Sequence, residues 1–371
     1  MTTRWILVGG GHAHLHVLRQ WARAPLPGIE LLLISPYDHH HYSGMVPGFL
    51  RGTYPEEALT VDLRALARAA GGRFVRAFAE AVDGPGRLVE AAGERLAFDA
   101  VSLDVGSAPA GRRLPGVEAH ALSVRPMTRA VALRARLDAL LDQPSERPLS
   151  VIIVGGGAAG VEVALALERR IAEGGRARVV RVIERGATIL REFAPAVRQR
   201  ARRLLERRGI EVWTASEVSE VEADAVRIGG ARVPSDLTVW LTGAAAPDLL
   251  DASRVPRDAA GFLHVDGTLR AVDGTPVWGA GDCVSIRGAE GLPKAGVYAV
   301  REAPLLDVNV RAALRGGAPR RYRPQRTFLS LMNTADGRAI LRWHGLVLHA
   351  RAAWWLKDRI DRRFMRRYQT P

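Results

Sequence analysis

The stretch Val151-Ile-Ile-Val-Gly-Gly-Gly-Ala-Ala-Gly160 decides the fold, because a short apolar strand runs directly into a glycine-rich turn. The run that follows, residues 161–167, is typical of an apolar helix. Gly155, Gly157 and Gly160 form the pattern G-x-G-x-x-G. These glycines permit a tight turn and let a pyrophosphate approach the backbone at a helix N-terminus. The pattern therefore predicts a Rossmann-type dinucleotide-binding unit.

An acidic residue at the end of the next predicted strand strengthens this interpretation. Glu184 closes the segment Val179-Val-Arg-Val-Ile-Glu184, at the spacing where a carboxylate accepts a hydrogen bond from an adenosine ribose. A carboxylate there disfavours a 2′-phosphate and so favours NADH, while Arg185 directly after it leaves NADPH open. We therefore expect this unit to bind NAD(P)H.

A second segment of the same design lies near the N-terminus. Trp5-Ile-Leu-Val-Gly-Gly-Gly-His-Ala-His14 again joins an apolar strand to a glycine turn that contains Gly9 and Gly11. His14 stands where the third glycine is expected, which predicts a looser contact between helix and strand. The next predicted strand ends in Ser35 rather than an acid, so that only a hydroxyl would meet a ribose. The expected contacts to a second dinucleotide are Gly9, Gly11, His12, Ala13 and Ser35.

A repeated Gly-x-x-Pro-like turn and an aspartate after a late strand are two further features of the sequence. A strand that ends in a Gly-x-x-Pro-like turn occurs at Gly106 and again at Gly243, which suggests that the chain contains two similar α/β units. The segment Thr275-Pro-Val-Trp-Gly-Ala-Gly-Asp282 then ends a short strand in a tight turn that carries one carboxylate. A carboxylate in this place can accept a hydrogen bond from a hydroxyl of a bound dinucleotide.

Composition excludes several classes of protein. The 371 residues carry a formal net charge of +14 and are 47% hydrophobic, which indicates a globular chain of two or three domains. The single cysteine, Cys283, excludes a disulfide framework, a CxxC redox pair and a thiolate zinc site. Consecutive histidines at 39–41 cannot converge on one ion, so no metal site is expected. We find no signal peptide and no apolar run of about 18 residues, and we expect a cytoplasmic protein.

Together these motifs resemble those of the flavoproteins with two dinucleotide-binding domains, the pyridine nucleotide-disulfide oxidoreductase superfamily. The resemblance implies that the first glycine turn, Gly106 and Asp282 bind FAD and that the second turn and Gly243 bind NAD(P)H. It also implies an α/β fold of two Rossmann-like domains, the second inserted in the first, with a small C-terminal α+β cap. The expected boundaries are 1–115 and 262–325 for the FAD domain, 116–261 for the NAD(P)H domain, and 326–371 for the cap.

The missing cysteine pair separates the chain from the disulfide reductases and argues against a sulfide:quinone oxidoreductase. The chain resembles single-subunit NADH:quinone dehydrogenases. Gly9-Gly-Gly-His-Ala-His14 with His41-Tyr-Ser-Gly-Met-Val-Pro-Gly48 resembles the flavoprotein domain fused to selenophosphate synthetase in some bacteria. We predict an FAD-dependent NAD(P)H oxidoreductase that passes two electrons to a quinone or similar small acceptor. Two alternatives stay open: a reductase of a protein such as ferredoxin, docked on the arginine-rich helix 196–208, and a non-catalytic flavin-bound accessory module linked to selenium metabolism.

Four residues are expected to act beside the flavin. The resemblance places Glu162 near the contact between isoalloxazine and nicotinamide, the alternative being an acid on a helix surface. It also points the N-terminus of the helix that follows Ala295 at the flavin's pyrimidine edge. Lys294 lies there, and it is one of two lysines among 53 basic residues. His41 or Tyr42, from a segment that lies against the flavin in resembling proteins, is expected to donate a proton to the acceptor.

The C-terminal segment is expected to form two strands around residues 335–338 and then a helix from about Leu348. Its stretch 350–368 is basic and amphipathic, which predicts contact with the cytoplasmic face of the inner membrane. The alternatives are packing on the protein body or on a second copy in a homodimer. We expect no nucleic-acid partner, since no RNA-recognition module accompanies the basic residues. The side chains expected to enter the lipid interface are Trp354, Leu356, Ile360, Phe364 and Met365.

Overall fold

The computed structural model describes residues 3–126, 128–325 and 327–369. Its helices are α1 (His12–Arg23), α2 (Val46–Arg51), α3 (Leu63–Ala69), α4 (Val117–His120), α5 (Arg129–Leu141), α6 (Ala158–Glu173), α7 (Pro195–Arg207), α8 (Gly296–Leu314) and α9 (Arg351–Gln369). Its strands are β1 (Thr3–Val8), β2 (Ile29–Ser35), β3 (His39–His41), β4 (Thr60–Asp62), β5 (Arg73–Arg76), β6 (Ala79–Asp83), β7 (Leu88–Ala91), β8 (Glu94–Ala97), β9 (Ala100–Leu103), β10 (Ala108–Pro109), β11 (Ala121–Leu122), β12 (Leu149–Val154), β13 (Arg178–Ile183), β14 (Ile210–Trp213), β15 (Val218–Val221), β16 (Ala225–Ile228), β17 (Ala231–Pro234), β18 (Leu237–Trp240), β19 (Ala244–Ala245), β20 (Leu263–Val265), β21 (Val277–Gly279), β22 (Val284–Ile286), β23 (Ser330–Asn333), β24 (Ala339–Trp343) and β25 (Leu346–Ala350).

Two parallel five-stranded sheets form the core. The first has the order β21-β9-β1-β2-β5 and the second the order β11-β18-β12-β13-β14. The central strands β1 and β12 are apolar along most of their length, because helices cover a parallel sheet on both faces. The predicted α/β fold with two Rossmann-like sheets is confirmed.

The order of the strands shows how the two units are connected. β21, which comes late in the chain, pairs with β9 at the edge of the first sheet. The chain therefore returns to the first sheet after it has built the second. The domain boundaries themselves stay a prediction.

The two Gly-x-x-Pro-like turns meet each other directly. The short strands β10 and β19, which follow Gly106 and Gly243, pair in antiparallel fashion, with Ala108 opposite Ala245. The amide of Ala110 also donates to the carbonyl of Gly243 over 2.8 Å. This contact joins the two units at the carboxyl ends of their strands, the edge where open α/β sheets bind ligands.

His14 fills the space between α1 and the first sheet. Its side chain is completely buried, its Nδ1 lies 2.5 Å from the carbonyl oxygen of Gly9, and its Nε2 lies 2.8 Å from Oγ of Ser102. Trp5 donates its indole N–H to the same Ser102 oxygen over 3.1 Å. Since the carbonyl and the indole fix the direction of these bonds, Nδ1 carries the proton and Ser102 donates to Nε2. The ring thus connects helix and strand at the third glycine position, and the expected looser contact there stays a prediction.

The C-terminal cap differs from the prediction in one element. The antiparallel sheet β23-β24-β25 has three strands, so Leu348 lies in a strand and the helix begins at Arg351. The turn that adds the third strand is formed by His344 and Gly345, with φ of +43° and +86°. Positive φ at both central residues is the conformation that closes a two-residue hairpin.

The remaining predicted helices agree with the structure. Gly209 follows the arginine-rich helix in the sequence and is predicted to stop it; α7 ends at Arg207, and Gly209 has a φ of +69°. The amphipathic pattern of residues 127–141 also predicts a helix, and α5 corresponds to it, although Met127 lies outside the described residues. Within the described parts of the chain, no helix combines the length and the apolarity needed to cross a bilayer.

Candidate functional site

The second glycine turn forms an open cradle at the N-terminus of α6. A Cβ at Gly160 would lie 1.9 Å from the carbonyl oxygen of Gly155, so only glycine permits this contact between helix and strand. A Cβ at Gly157 would have no neighbour within 4 Å, and Gly157 is exposed. Among the described residues, no side chain caps the first amides of α6. These N–H groups are therefore free to bind an anion.

Glu184 lies beside this cradle, where the sequence predicted it. Its Oε2 accepts a hydrogen bond from the amide of Gly156 over 2.7 Å, and its Oε1 accepts one from the amide of Gly186, also over 2.7 Å. Two backbone donors thus hold the carboxylate at the end of β13. Its role toward a ribose stays a prediction.

The first glycine turn is built differently, because a carboxylate occupies it. Oδ2 of Asp104 accepts hydrogen bonds from the amides of Ala13, over 2.6 Å, and His14, over 3.0 Å. A Cβ at Gly11 would lie 2.3 Å from Cγ of Asp104, and one at Gly9 would lie 2.4 Å from its carbonyl oxygen. The closeness of Asp104 therefore explains why positions 9 and 11 both require glycine. Burial raises the pKa of the Asp104 carboxyl to about 7.

Asp104 escaped the sequence analysis although a signal was available. In the second repeat the corresponding position, directly after the strand β18, is Leu241. An acid in one repeat where the other repeat has an apolar residue indicates that the two glycine turns have different electrostatic surroundings. A comparison of the two repeats, position by position, would have found it.

Asp282 stands at the turn after β21, half-buried, as expected for a residue that faces a cofactor. The hydroxyl of Ser107 donates to its Oδ2 over 3.4 Å, and Arg125 donates to that hydroxyl over 3.3 Å. The neighbouring amide of Gly281 donates to Oε2 of the buried Glu302 over 2.7 Å. Burial raises the pKa of Asp282, and it raises the pKa of Glu302 to about 7. Sequence reasoning missed Ser107, Arg125 and Glu302.

His12 and Ser35, two further residues predicted to bind FAD, have different surroundings. His12 lies next to the N-terminus of α8, with its Cε1 3.6 Å from the position that a Cβ on Gly296, the first residue of α8, would take. Nε2 of His12 is buried and has no partner among the described residues, so a donor or acceptor of a bound group would fit there. Ser35, in contrast, is buried and donates its hydroxyl to the carbonyl of Tyr37 over 3.0 Å.

Lys294 lies close to the predicted position but is already engaged. Its ammonium group donates to the carbonyl of Val284 and stands 4.0 Å from the centre of the Phe262 ring. Burial lowers its pKa, while Asp282 acts in the opposite direction. The lysine therefore contributes a positive charge near Asp282, and contact with a flavin or quinone oxygen stays a prediction.

The two predicted proton donors are held in internal contacts. Nε2 of His41 lies 3.2 Å from Oε1 of Glu56. Tyr42 donates its hydroxyl to Oδ1 of Asp361 over 3.2 Å, and its ring stacks on Phe364 with centres 4.5 Å apart. Burial, and then the charge of Asp361, raises the pKa of Tyr42 well above its usual value, so its neutral form holds the proton firmly.

Glu162 is not an acid on a helix surface. Its Oε1 accepts a hydrogen bond from the amide of Asn333 in β23 over 2.7 Å. Burial raises the pKa of the Glu162 carboxyl to about 7, although the positive charge of Lys357 opposes that shift. The group can therefore hold or release a proton near neutral pH.

Lys357 connects this region to the first domain. Its ammonium group donates to Oδ2 of Asp361 and to the carbonyl of Gly44, in both cases over 2.6 Å. Lys357 is the other of the chain's two lysines, a signal that the sequence analysis applied to Lys294 alone. Within the described residues, no group of three or more His, Cys, Asp or Glu side chains is arranged to hold a metal ion.

Two nucleotide-type turns on two parallel sheets, together with Asp282 at the end of β21 in the first sheet, define a class of protein. The model of the pyridine nucleotide-disulphide oxidoreductase family matches residues 3–303, and the chain belongs to this family.

Two relatives and one solved structure are similar to this chain over most of its length. The chain is 31% identical over 268 residues to the demethylphylloquinone reductase NdbB of Synechocystis sp., a match that covers 70% of this chain and 65% of that protein. It is 24% identical over 359 residues to the type II NADH:quinone oxidoreductase Ndh of Mycobacterium tuberculosis, covering 88% of this chain and 76% of the relative. The structure of NDH2 from Plasmodium falciparum in complex with NADH has a TM-score of 0.81, with 16% identity and coverage of 100% and 99%. The fold is thus shared with NDH2 over the whole chain.

Two glycines of the second turn should respond differently to the same substitution. Gly160→Ala should lower the free energy of unfolding by about 1–3 kcal/mol, because the added methyl group would overlap the backbone of Gly155. Gly157→Ala, three residues earlier, should leave folding stability unchanged but weaken NADH binding, because the methyl group would stand in the open cradle. Urea unfolding and NADH titration of both variants would measure these effects. Equal stability of the two variants would show that the Gly155–Gly160 contact is not tight.

Proposed function

We propose that the chain is an FAD-dependent NAD(P)H oxidoreductase that passes two electrons to a quinone or a similar small acceptor. The observation that carries the proposal is the presence of two nucleotide-type turns on adjoining parallel sheets, joined through β10 and β19. Family membership supports the flavin and the nicotinamide. The names of the relatives NdbB and Ndh support a quinone as the acceptor.

The residues that would hold the two cofactors lie at the carboxyl ends of the two sheets. Bound FAD would supply the hydride-accepting and electron-donating chemistry, while the protein supplies position and charge. The half-exposed Gly106 has open space around it, and Asp282 offers a carboxylate oxygen at the same edge. We assign Gly9, Gly11, His12, Ala13, Gly106, Asp282 and Ala295 to FAD. We assign Gly155, Gly157, Gly160, Glu184 and Gly243 to NAD(P)H.

The acceptor can be tested on the purified flavoprotein. After reduction with NADH, reoxidation should be fastest with a soluble quinone and much slower with ferredoxin or oxygen. Stopped-flow absorbance of the flavin band would follow each reaction under the same conditions. Fast reoxidation by ferredoxin with slow reoxidation by every quinone would contradict the proposal and favour a protein acceptor.

Glu162 is proposed to supply a proton during acceptor reduction. Below a pH of about 7 its carboxyl is neutral and can donate a proton, and above that pH it is ionised and cannot. The rate of quinone reduction should therefore fall as pH rises through about 7. Glu162→Gln should slow this step by about 100-fold and remove the pH dependence.

A matched control lies on the same helix. Glu173, at the other end of α6, is partly exposed and bonded to arginines, so Glu173→Gln should retain both the rate and its pH profile. Single-turnover reoxidation measured from about pH 5.5 to 8.5 would compare the three proteins. An unchanged profile in Glu162→Gln would remove Glu162 from the proton path.

The cap is proposed to contact a membrane surface, where a quinone would dissolve. α9 presents only part of the face that the sequence suggested: Ile360 is exposed, but Phe364 stacks on Tyr42 and Met365 is buried in the core. Trp354 and Leu356 are half-buried. The large apolar side chains that are exposed at the β24–β25 hairpin and on the outer face of α9 are Trp343, Leu346, Leu348, Trp355 and Ile360. Arg359 lies over the Trp355 ring, 5.7 Å from its centre, and such a cation beside an exposed aromatic ring suits a surface that meets anionic lipid.

Liposome flotation would test this surface. The double variant Leu346→Ser with Trp355→Ser should lose most binding to anionic vesicles, since it removes apolar side chains that are 51% and 59% exposed. Phe78→Ser is the control, because Phe78 is 67% exposed but lies outside the cap. Equal flotation of the double variant and the control would contradict membrane contact through the cap.

A further inference from the structure

The two glycine turns differ in what occupies their helix N-termini. At α6 the turn is open, as a Cβ on the exposed Gly157 would have no neighbour within 4 Å. At α1 the corresponding Gly11 lies against Asp104, whose carboxylate already accepts the amides of Ala13 and His14. The turn assigned to the FAD diphosphate therefore contains a built-in anion.

Asp104 is buried in this turn. It is 4% exposed, and its Oδ1 lies 3.1 Å from the position that a Cβ on Gly281 would take. Movement of the side chain would leave the amides of Ala13 and His14 without their acceptor, which is unfavourable for buried donors. A diphosphate that binds at this turn must therefore bind next to the Asp104 carboxyl.

The surroundings of Asp104 carry more negative than positive charge. From the turn after β21, Asp282 faces it and raises its pKa, and the thiol of Cys283 lies in the same cluster. From α8, Glu302 faces it, and Asp104 in turn raises the pKa of that carboxyl. The neighbouring histidine of α1, His14, is neutral, because burial lowers its pKa to about 4.

The positively charged side chains near this cluster, Lys294 and Arg125, act on Asp282 and Glu302. Lys294 opposes the pKa shifts of Asp282 and Glu302, and Arg125 opposes that of Asp282. At Asp104 the two backbone hydrogen bonds lower the pKa and so oppose the effect of burial. A diphosphate would add further negative charge to this largely buried site, where like charges repel strongly because the effective dielectric constant is low.

We propose that FAD binding is coupled to the uptake of one proton from solvent by Asp104, which stays on the amides of Ala13 and His14 as a neutral carboxyl. The inference rests on the FAD site of the proposed function. Protonation removes the repulsion between Asp104 and the diphosphate, and it gives the carboxyl an O–H that can donate to a phosphate oxygen. Asp104 is thus a positioning and charge-balancing residue for cofactor binding rather than a group that reacts.

The sign of the pH dependence follows from linkage. Since the carboxyl has a pKa of about 7 before FAD binds, it is already neutral below that pH, and the affinity should be nearly constant there. Above it, each pH unit should weaken FAD binding by about tenfold, because a proton must be taken up from a less acidic solution.

The full-length chain stripped of flavin provides the test. Fluorescence quenching would give the Kd of FAD from about pH 6 to 9. Calorimetry at about pH 8, in two buffers that differ in ionisation enthalpy, would count the protons taken up. The wild-type chain should take up nearly one proton. Asp104→Asn, which keeps an oxygen acceptor for the two amides, should take up none and bind FAD with the same affinity at every pH. Glu302→Gln should still take up a proton.

The outcomes separate the proposals from each other. Tight FAD binding without proton uptake by the wild-type chain would overturn the coupling and leave the proposed function intact, and this result needs no variant. Proton uptake that persists in Asp104→Asn but disappears in Glu302→Gln would assign the proton to the other acid and overturn the role of Asp104. Failure of FAD to bind at any pH would overturn both proposals.

Discussion

The close contact between a strand end and a helix N-terminus determines the geometry of both sheets in this protein. In the second unit this contact is backbone against backbone, and a single methyl group at Gly160 would prevent it. In the first unit the same topology is kept, but His14 stands at the third glycine position and bridges strand and helix through Ser102 and Gly9. The contact between strand and helix is thus made by backbone atoms in the second unit and by the His14 side chain in the first. Only the second unit leaves the first amides of its helix open.

The part of the structure that the sequence predicts well is the part determined by local pattern. A glycine turn between an apolar strand and a helix needs few residues, so the two sheets and the positions of Glu184 and Asp282 could be predicted. The His344–Gly345 hairpin was missed, since histidine is an unusual residue for positive φ and gives a weak turn signal.

Contacts between distant segments could not be predicted in the same way. Glu162 and Asn333, or Lys357 and Gly44, are brought together only by the complete tertiary fold. The family resemblance predicts Glu162 beside a cofactor, but nothing in the local sequence indicates that the cap supplies its hydrogen-bond partner. Pattern reasoning placed Phe364 toward lipid, because an amphipathic helix with two apolar edges does not indicate which edge faces the protein.

The distribution of charge shows why net charge and local chemistry must be separated. A chain with a formal net charge of +14 suggests attraction for every anion, including a dinucleotide. At the first turn, however, the buried Asp104 and Glu302 lie together with the half-buried Asp282, and burial raises the pKa of each. Surface arginines are screened by solvent and act weakly over the distance to this cluster, whereas the three acids act on each other across protein. Under the proposed coupling, the protonation of these carboxyls, and not the net charge of the chain, governs the binding of an anion at this turn.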